Sequence, residues 1–180
     1  LMHKYGASGI ILMDSSGYFV PKDVQERVDA LKNALPVEVG FHAHNNLGVG
    51  VSNAISAIEN DATIIDGSSM GLGAGAGNAP LESIIVNYRR MENTAPSLDK
   101  FLEMSHLVET KYPEYLPRTT SSSIQSGDAG VFSGFAPQVR QLAAEFGVSQ
   151  EDLWQELGKR RLVAGQESMI REIAQDLMNL

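Results

Sequence analysis

No cysteine occurs anywhere in the 180 residues. That excludes a disulfide scaffold, a Cys-ligated zinc or iron–sulfur site, and a thiol nucleophile. It also suits a reducing compartment. No apolar run approaches the roughly 20 residues that a membrane-spanning helix needs. Basic residues are in the minority, with 14 Lys+Arg against 22 Asp+Glu and a formal net charge of −8. A duplex nucleic-acid binder needs a cationic face to neutralise phosphates, so that class drops out. What remains, at 43% hydrophobic and 20% charged, is a globular composition rather than a disordered, collagen-like or coiled-coil one. The length suits one ordinary domain or two small ones. A soluble, cytoplasmic protein with neither nucleic-acid nor membrane partners is expected.

The chain opens Leu1-Met2-His3-Lys4-Tyr5-Gly6-Ala7, which reads as the last turn of a helix reaching its glycine stop. Nothing precedes that turn, so a fragment of a longer protein is expected. Gly9 to Met13 is a short apolar run without alternation, the pattern of a strand buried on both faces. Pro21 opens a helix in which Val24, Val28, Leu31 and Leu35 recur at helical spacing, and Pro36 closes it. Val37 to Phe41 reads as the next strand, running into His42-Ala43-His44-Asn45-Asn46. Val51, Ile55 and Ile58 mark a second helix. Ala62 to Ile65 is a third strand ending at Asp66, and Pro80 opens a helix carrying Leu81, Ile84, Ile85 and Tyr88.

Strand, polar loop and helix, three times over, is the signature of a parallel α/β sheet. Each time the chemical residues fall just after the strand's C-terminal end, where active sites sit in doubly wound sheets and in (β/α)8 barrels. Three units cannot close a barrel. From Pro96 the texture is helix alone. Ser97 can cap a helix with Leu98, Phe101, Leu102 and Leu107, and Lys111 to Ser126 reads as a loop. Val139, Leu142 and Phe146 mark a helix stopped by Gly147. Ser149 caps one carrying Leu153, Trp154 and Leu157 and stopped by Gly158. An amphipathic helix then runs from Gln166 through Ile170, Ile173 and Leu177. The predicted division is an α/β part over residues 1–95 and a helical part over 96–180.

His42 and His44 carry the sharpest chemical signal. Positions i and i+2 of a strand point to one side, so both imidazoles can reach one divalent ion at the strand's end. Two loop histidines that bind nothing are the alternative. Gly71 to Gly77, followed by Asn78-Ala79-Pro80, admits three readings. It could be a phosphate cradle, a close backbone approach to a metal site with Asn78 as oxygen ligand or helix cap, or a tight turn of small residues. It lacks the Lys-Ser/Thr ending of a P-loop. Asp14 and Asp66 each end a strand, where either a catalytic role or a turn-capping one is open.

Taken together, HAHNNLG at a strand end and GLGAGAGNAPLE about one β/α unit later resemble the metal-dependent aldolase and lyase superfamily of TIM barrels. That superfamily includes hydroxymethylglutaryl-CoA lyase and isopropylmalate synthase. The nearest resemblance is to the 4-hydroxy-2-oxovalerate aldolase family. Gly127 to Ser133 (GDAGVFS) is similar to that family's GYAGVYSS. Leu157 to Val163 (LGKRRLV) with Gly165 to Ile170 (GQESMI) is similar to its LGxRRxVGGQEDMI. The resemblance covers essentially the whole chain.

It implies the C-terminal part of a (β/α)8 TIM barrel followed by an all-helical C-terminal region. It implies cleavage of a 4-hydroxy-2-oxo acid, such as 4-hydroxy-2-oxovalerate, to pyruvate and an aldehyde. His42 and His44 would ligate a divalent metal, most often manganese in the family, with magnesium, cobalt or zinc as alternatives. Asn78 would complete the shell less regularly. The family's aspartate ligand, its neighbouring arginine and a catalytic histidine have no counterpart in this chain, and Asp14, ending a different strand, does not replace that aspartate. The family's catalytic-region tyrosine is Phe132 here, and its other tyrosine is Asp128. Phenylalanine has no O–H with which to move a proton. The isolated chain is therefore expected to be inactive. The helical region corresponds to the part that docks an acylating aldehyde dehydrogenase. Two other functions stay open: a non-catalytic or divergent subunit that binds such a dehydrogenase, and a phosphate-binding α/β enzyme using the glycine-rich loop.

Overall fold

A computed structural model describes residues 1–91 and 96–179. The predicted division at residue 95 lies outside the described residues. Three strands, β1 (Gly9–Asp14), β2 (Glu38–Ala43) and β3 (Ile64–Asp66), form a parallel sheet in the order β1-β2-β3. The helices α1 (Pro21–Ala34) and α2 (Gly50–Glu59) make the crossovers. Pro21 occupies the first turn of α1, and Asp23 reaches back to accept a hydrogen bond from the Val20 N–H at 3.0 Å. This supplies one of the unmet donors at the helix start. The turn before β1 is a 3-10 helix, His3–Tyr5, closed by Gly6 at φ 91°.

Parallel register pairs Leu12 with Phe41 and Met13 with His42, then Phe41 with Ile65 and His42 with Asp66. Residues paired across a sheet share a face, so the faces can be read directly. Val39, Phe41 and Ala43 point to the helices and pack with Val24, Val28, Ala54 and Ala57 in one buried cluster. Gly40 and His42 point to the other face, together with Ile11, Met13 and Ile64. That face is open over β1, where Ile11 is 41% and Met13 is 56% exposed. The expectation of a first strand buried on both faces is therefore corrected. β1 is an edge strand whose second face is only partly covered.

After β3 a 3-10 turn (Ser69–Gly71) and the glycine-rich loop lead to α3 (Leu81–Met91). α4 (Asp99–Lys111) packs back on this segment, because its Ser105 hydroxyl donates to the buried carboxylate of Glu82 at 2.7 Å. The same carboxylate accepts the Ser69 hydroxyl at 2.6 Å and the Met70 N–H at 3.0 Å, with Met70 in a left-handed conformation at φ 52°.

The remaining helices are α5 (Ser121–Asp128), α6 (Ala136–Phe146), α7 (Gln150–Lys159) and α8 (Ser168–Met178). They enclose a second core containing Phe135, Trp154, Leu157, Ile170 and Ile173. The segment read as a loop through Ser126 is partly helical. The Thr120 hydroxyl accepts the Ser123 N–H while the Ser123 hydroxyl accepts the Thr120 N–H, so the Ser/Thr run is a helix cap and first turn. Gly158 likewise does not stop α7, which continues to Lys159.

Candidate metal centre

β2 delivers His42 inside its last two residues and His44 just beyond them. Both histidines are 7% exposed as whole residues, and their rings meet edge to face with centroids 5.2 Å apart. The i, i+2 spacing thus does what a strand should, placing two nitrogen donors side by side. His42 Nδ1 lies 3.0 Å from Asp66 Oδ2, at the end of the neighbouring strand. His44 Nδ1 is buried and has no partner. Burial pushes the His44 imidazole below its ordinary range, and the adjacent His42 adds to the effect, with the Ala74 backbone opposing it. A lowered value keeps the ring neutral, the form that donates a lone pair to a cation.

Asn78 joins them through the backbone. His44 and Asn78 form an antiparallel bridge, flanked by bonds from Asn45 N to Gly77 O and from Ala79 N to Ala43 O, each 2.8 Å. The Asn78 amide nitrogen donates to Leu72 O at 2.9 Å and to Ser68 Oγ at 3.3 Å. Its Oδ1 is left buried without a partner. An unmet buried nitrogen and an unmet buried amide oxygen on bridged residues fit a cation site, since each otherwise bears a desolvation cost. Among the described residues, no group of three or more His, Asp or Glu side chains is placed to hold an ion. The donor set here is two imidazoles and one neutral oxygen.

The glycine-rich loop serves this geometry through close packing. Gly71, Gly75 and Gly77 have φ of 70°, 65° and 84°. A Cβ on Gly75 would strike Asn46 Oδ1 and lie 2.5 Å from Ser133 Oγ. The amides of Gly71, Leu72, Gly77 and Asn78 donate to backbone carbonyls, and that of Ala76 donates to Asn46 Oδ1 at 2.9 Å. A phosphate cradle needs such amides free. The close-approach reading of these glycines is the one the geometry favours.

Asn46 is the residue that sequence reasoning passed over. It is fully buried, and its amide also donates to Ser16 O at 2.8 Å and reaches Ser126 Oγ at 3.5 Å. One side chain thereby ties the loops after β1, β2 and β3 to α5. No local pattern signals contacts that span 30 and 80 residues.

Asp14 takes the turn-capping role. Its carboxylate accepts the N–H groups of Tyr18 and Phe19, both at 3.0 Å, and the Ser16 hydroxyl at 3.3 Å. Burial raises its pKa above the ordinary aspartate range, and those hydrogen bonds offset part of the rise. Asp66 instead reaches the site, as the carboxylate partner of His42. Phe132 does so too, its ring edge-to-face with His44 at 6.3 Å. It also lines a cleft of about 340 Å³ with Met13, Ser15, Ser16, Leu162 and Val163. Asp128 stays at the surface, accepting the Gln155 amide at 3.0 Å. No helix among the described residues is long and apolar enough to cross a membrane.

The HMGL-like family profile matches residues 1–111, and a profile described as DmpG-like communication domain matches 117–179. The chain is 48% identical to a 4-hydroxy-2-oxovalerate aldolase of Spirochaeta aurantia, over 98% of this chain and 52% of that protein. It is 46% identical to the 4-hydroxy-2-oxovalerate aldolase of Pectobacterium atrosepticum, again over 98% and 52%. Among solved structures, the HMG-CoA lyase of Bacillus subtilis superposes with a TM-score of 0.58 at 28% identity, covering 65% of this chain and 42% of that one. The chain spans about half the length of the curated relatives it matches. The three parallel strands are β/α units of the TIM-barrel type. Four motifs, the strand-end histidines among them, and two family profiles agree: the chain belongs to the HMGL-like family.

Proposed function

We propose that this chain carries the divalent-cation half of an aldolase that cleaves a 4-hydroxy-2-oxo acid, such as 4-hydroxy-2-oxovalerate, to pyruvate and an aldehyde. The observation that carries this reading is the pairing of the His42 and His44 imidazoles at one strand end, with Asn78, whose Oδ1 is unpartnered, bridged to His44 through the backbone. The curated relatives are named for that activity. Manganese is the first choice, with magnesium, cobalt and zinc as alternatives that the same donors accept.

His42 and His44 would hold the ion and Asn78 would add a neutral oxygen. When bound, the ion supplies Lewis-acid polarisation of a 2-oxo carbonyl. Phe132 walls the site beside His44 and excludes water there, but it cannot donate or accept the proton that the cleavage moves. We infer that an acidic ligand and the base come from residues outside these 180. The division into a partial barrel over 1–95 and a helical region over 96–180 belongs to the same proposal, with the helical region docking an acylating aldehyde dehydrogenase. The DmpG-like communication profile over 117–179 supports that partner. We place the protein in the cytoplasm.

One observation favours a second reading. Phe132 stands where the resemblance places a tyrosine, which suits a subunit that binds a dehydrogenase without catalysing cleavage. A chimera joining the first half of the Spirochaeta aurantia relative to this chain separates the two. With Mn²⁺ and 4-hydroxy-2-oxopentanoate it is expected to release pyruvate in a coupled assay, to lose that activity on His42→Ala or His44→Ala, and to gain rate on Phe132→Tyr. The 180-residue chain alone is expected to bind Mn²⁺ only at micromolar concentrations or above and to release none. A monodisperse chimera that binds Mn²⁺ yet stays inactive, even with Phe132→Tyr, would establish the non-catalytic subunit.

A further inference from the structure

The two imidazoles of the candidate centre are not equivalent, and the difference lies in Asp66. We infer that Asp66 is a positioning residue: it locks the His42 ring in the tautomer with its proton on Nδ1, leaving Nε2 as the only lone pair His42 can offer a cation. A carboxylate only accepts hydrogen bonds, so the 3.0 Å contact between Asp66 Oδ2 and His42 Nδ1 requires the proton to sit on that nitrogen. His44 has no such partner, because its Nδ1 is buried and unpaired.

The contact differs from an ordinary surface ion pair, which is weakened by the freedom of two long side chains. Asp66 and His42 are register partners on adjacent strands, so the backbone of the sheet fixes both ends. The Asp66 side chain is about half exposed, so it stays hydrated while its other oxygen holds the ring. The His42 ring is confined by burial and by the edge of His44. A carboxylate that orients a ligating histidine also strengthens it as a donor, and loss of such a partner typically costs about 10–100-fold in metal affinity. His42 is thus the member of the pair that a carboxylate presets, and His44 has no carboxylate partner at its Nδ1. For its effect on metal affinity, this inference rests on the reading of His42 as a ligand; the tautomer lock stands without it.

The test is nitrogen-15 NMR of the full chain with labelled histidine, in mildly alkaline buffer without metal. Four histidines make the assignment tractable through His42→Ala and His44→Ala. The wild type is expected to show His42 as a single Nδ1–H tautomer. Asp66→Leu should turn it into a mixture and weaken Mn²⁺ binding by about 10–100-fold. Asp66→Asn, whose amide oxygen still accepts, should keep the tautomer and lose less affinity. The His44 signals should hold through both changes. A mixed or Nε2–H His42 in the wild type, or an unchanged tautomer in Asp66→Leu, overturns the assignment. Failure of the wild type to take up Mn²⁺ while the tautomer pattern appears as expected would sink the cation site and leave the Asp66 lock standing.

Discussion

Phe132 stands edge-on to His44, with ring centroids 6.3 Å apart and planes at 85°, and its ring centroid lies 5.6 Å from that of Phe135. Phe135 is a fully buried member of the helical core. One aromatic ring therefore joins the packing of α5 to α8 to the strand-end histidines of the sheet. Edge-to-face contacts of this kind hold a ring in a defined orientation as well as burying it.

Replacing that ring tests the connection. Phe132→Leu conserves much of the volume and should cost under about 1.5 kcal/mol of stability. It removes the ring current felt by His44, so the His44 ring protons should shift, while those of His3 and His106 stay in place. Gly134→Ala should shift the same His44 signals, because a Cβ there would collide with the Phe132 ring. His44 signals unmoved by both substitutions would mean the rings do not touch in solution.

The glycine-rich loop gives a matched comparison. Gly75 and Gly147 have nearly the same positive φ, 65° and 68°. A Cβ on Gly147 would meet nothing within 4 Å, whereas one on Gly75 would meet Asn46 and Ser133. Gly147→Ala should cost only the left-handed penalty of about 1–2 kcal/mol. Gly75→Ala should add about 1–3 kcal/mol of overpacking. Chemical denaturation of both variants measures the difference, and equal losses would refute the packing role of Gly75.

Much of this fold is legible in the sequence, for local reasons. Pro21, Pro36, Gly147 and the Ser149 cap act within one turn of themselves, so the helices they bound can be read directly. The His42–His44 pairing follows from strand geometry alone. The role of Asp66 could be glimpsed, since it ends β3 as His42 lies near the end of β2, but only the register makes them partners. The loop-tying role of Asn46 and the short helix α5 were not legible. Asn46 acts through contacts 30 and 80 residues away, and α5 is an eight-residue helix that begins in a Ser/Thr run resembling a loop. The first strand misleads for a related reason. Its apolar run describes the surroundings it is built for, and one of its faces is open here.

Asp14 gives the molecule a pH signature. Its carboxyl is raised chiefly by burial, so the folded state keeps its proton to a higher pH than the unfolded chain does. Between the ordinary value near 3.8 and the raised one, the folded state binds more protons than the unfolded state. Stability must fall as pH rises through that window and then level off. Asp14→Asn cannot ionise, so its stability should lack this decline. Urea unfolding of both proteins across the acid range should show the wild type losing ground to Asp14→Asn as pH increases through the window. A wild type that gains ground instead would show that the hydrogen bonds from Tyr18 and Phe19 outweigh burial.

The helical region should fold without the sheet. Its buried cluster, from Val131 to Ala174, shares no residue with the cluster of Val24, Val28 and Phe41 beneath the strands. Trp154, Leu153, Leu157, Ile170 and Ile173 are fully buried within it, enough apolar surface for a small independent domain. The ties across to the sheet and its loops include the long Asn46 to Ser126 contact, Gly127 against Leu47, Gly75 against Ser133, and Phe132 against His44. Residues 117–179 produced alone should therefore be helical and unfold cooperatively in urea. Trp154 is the chain's one tryptophan, so its emission reports this core alone. It should start blue-shifted and move to longer wavelength in a single transition. Emission of a solvated indole before any denaturant is added would show that the helices need the sheet to close their core.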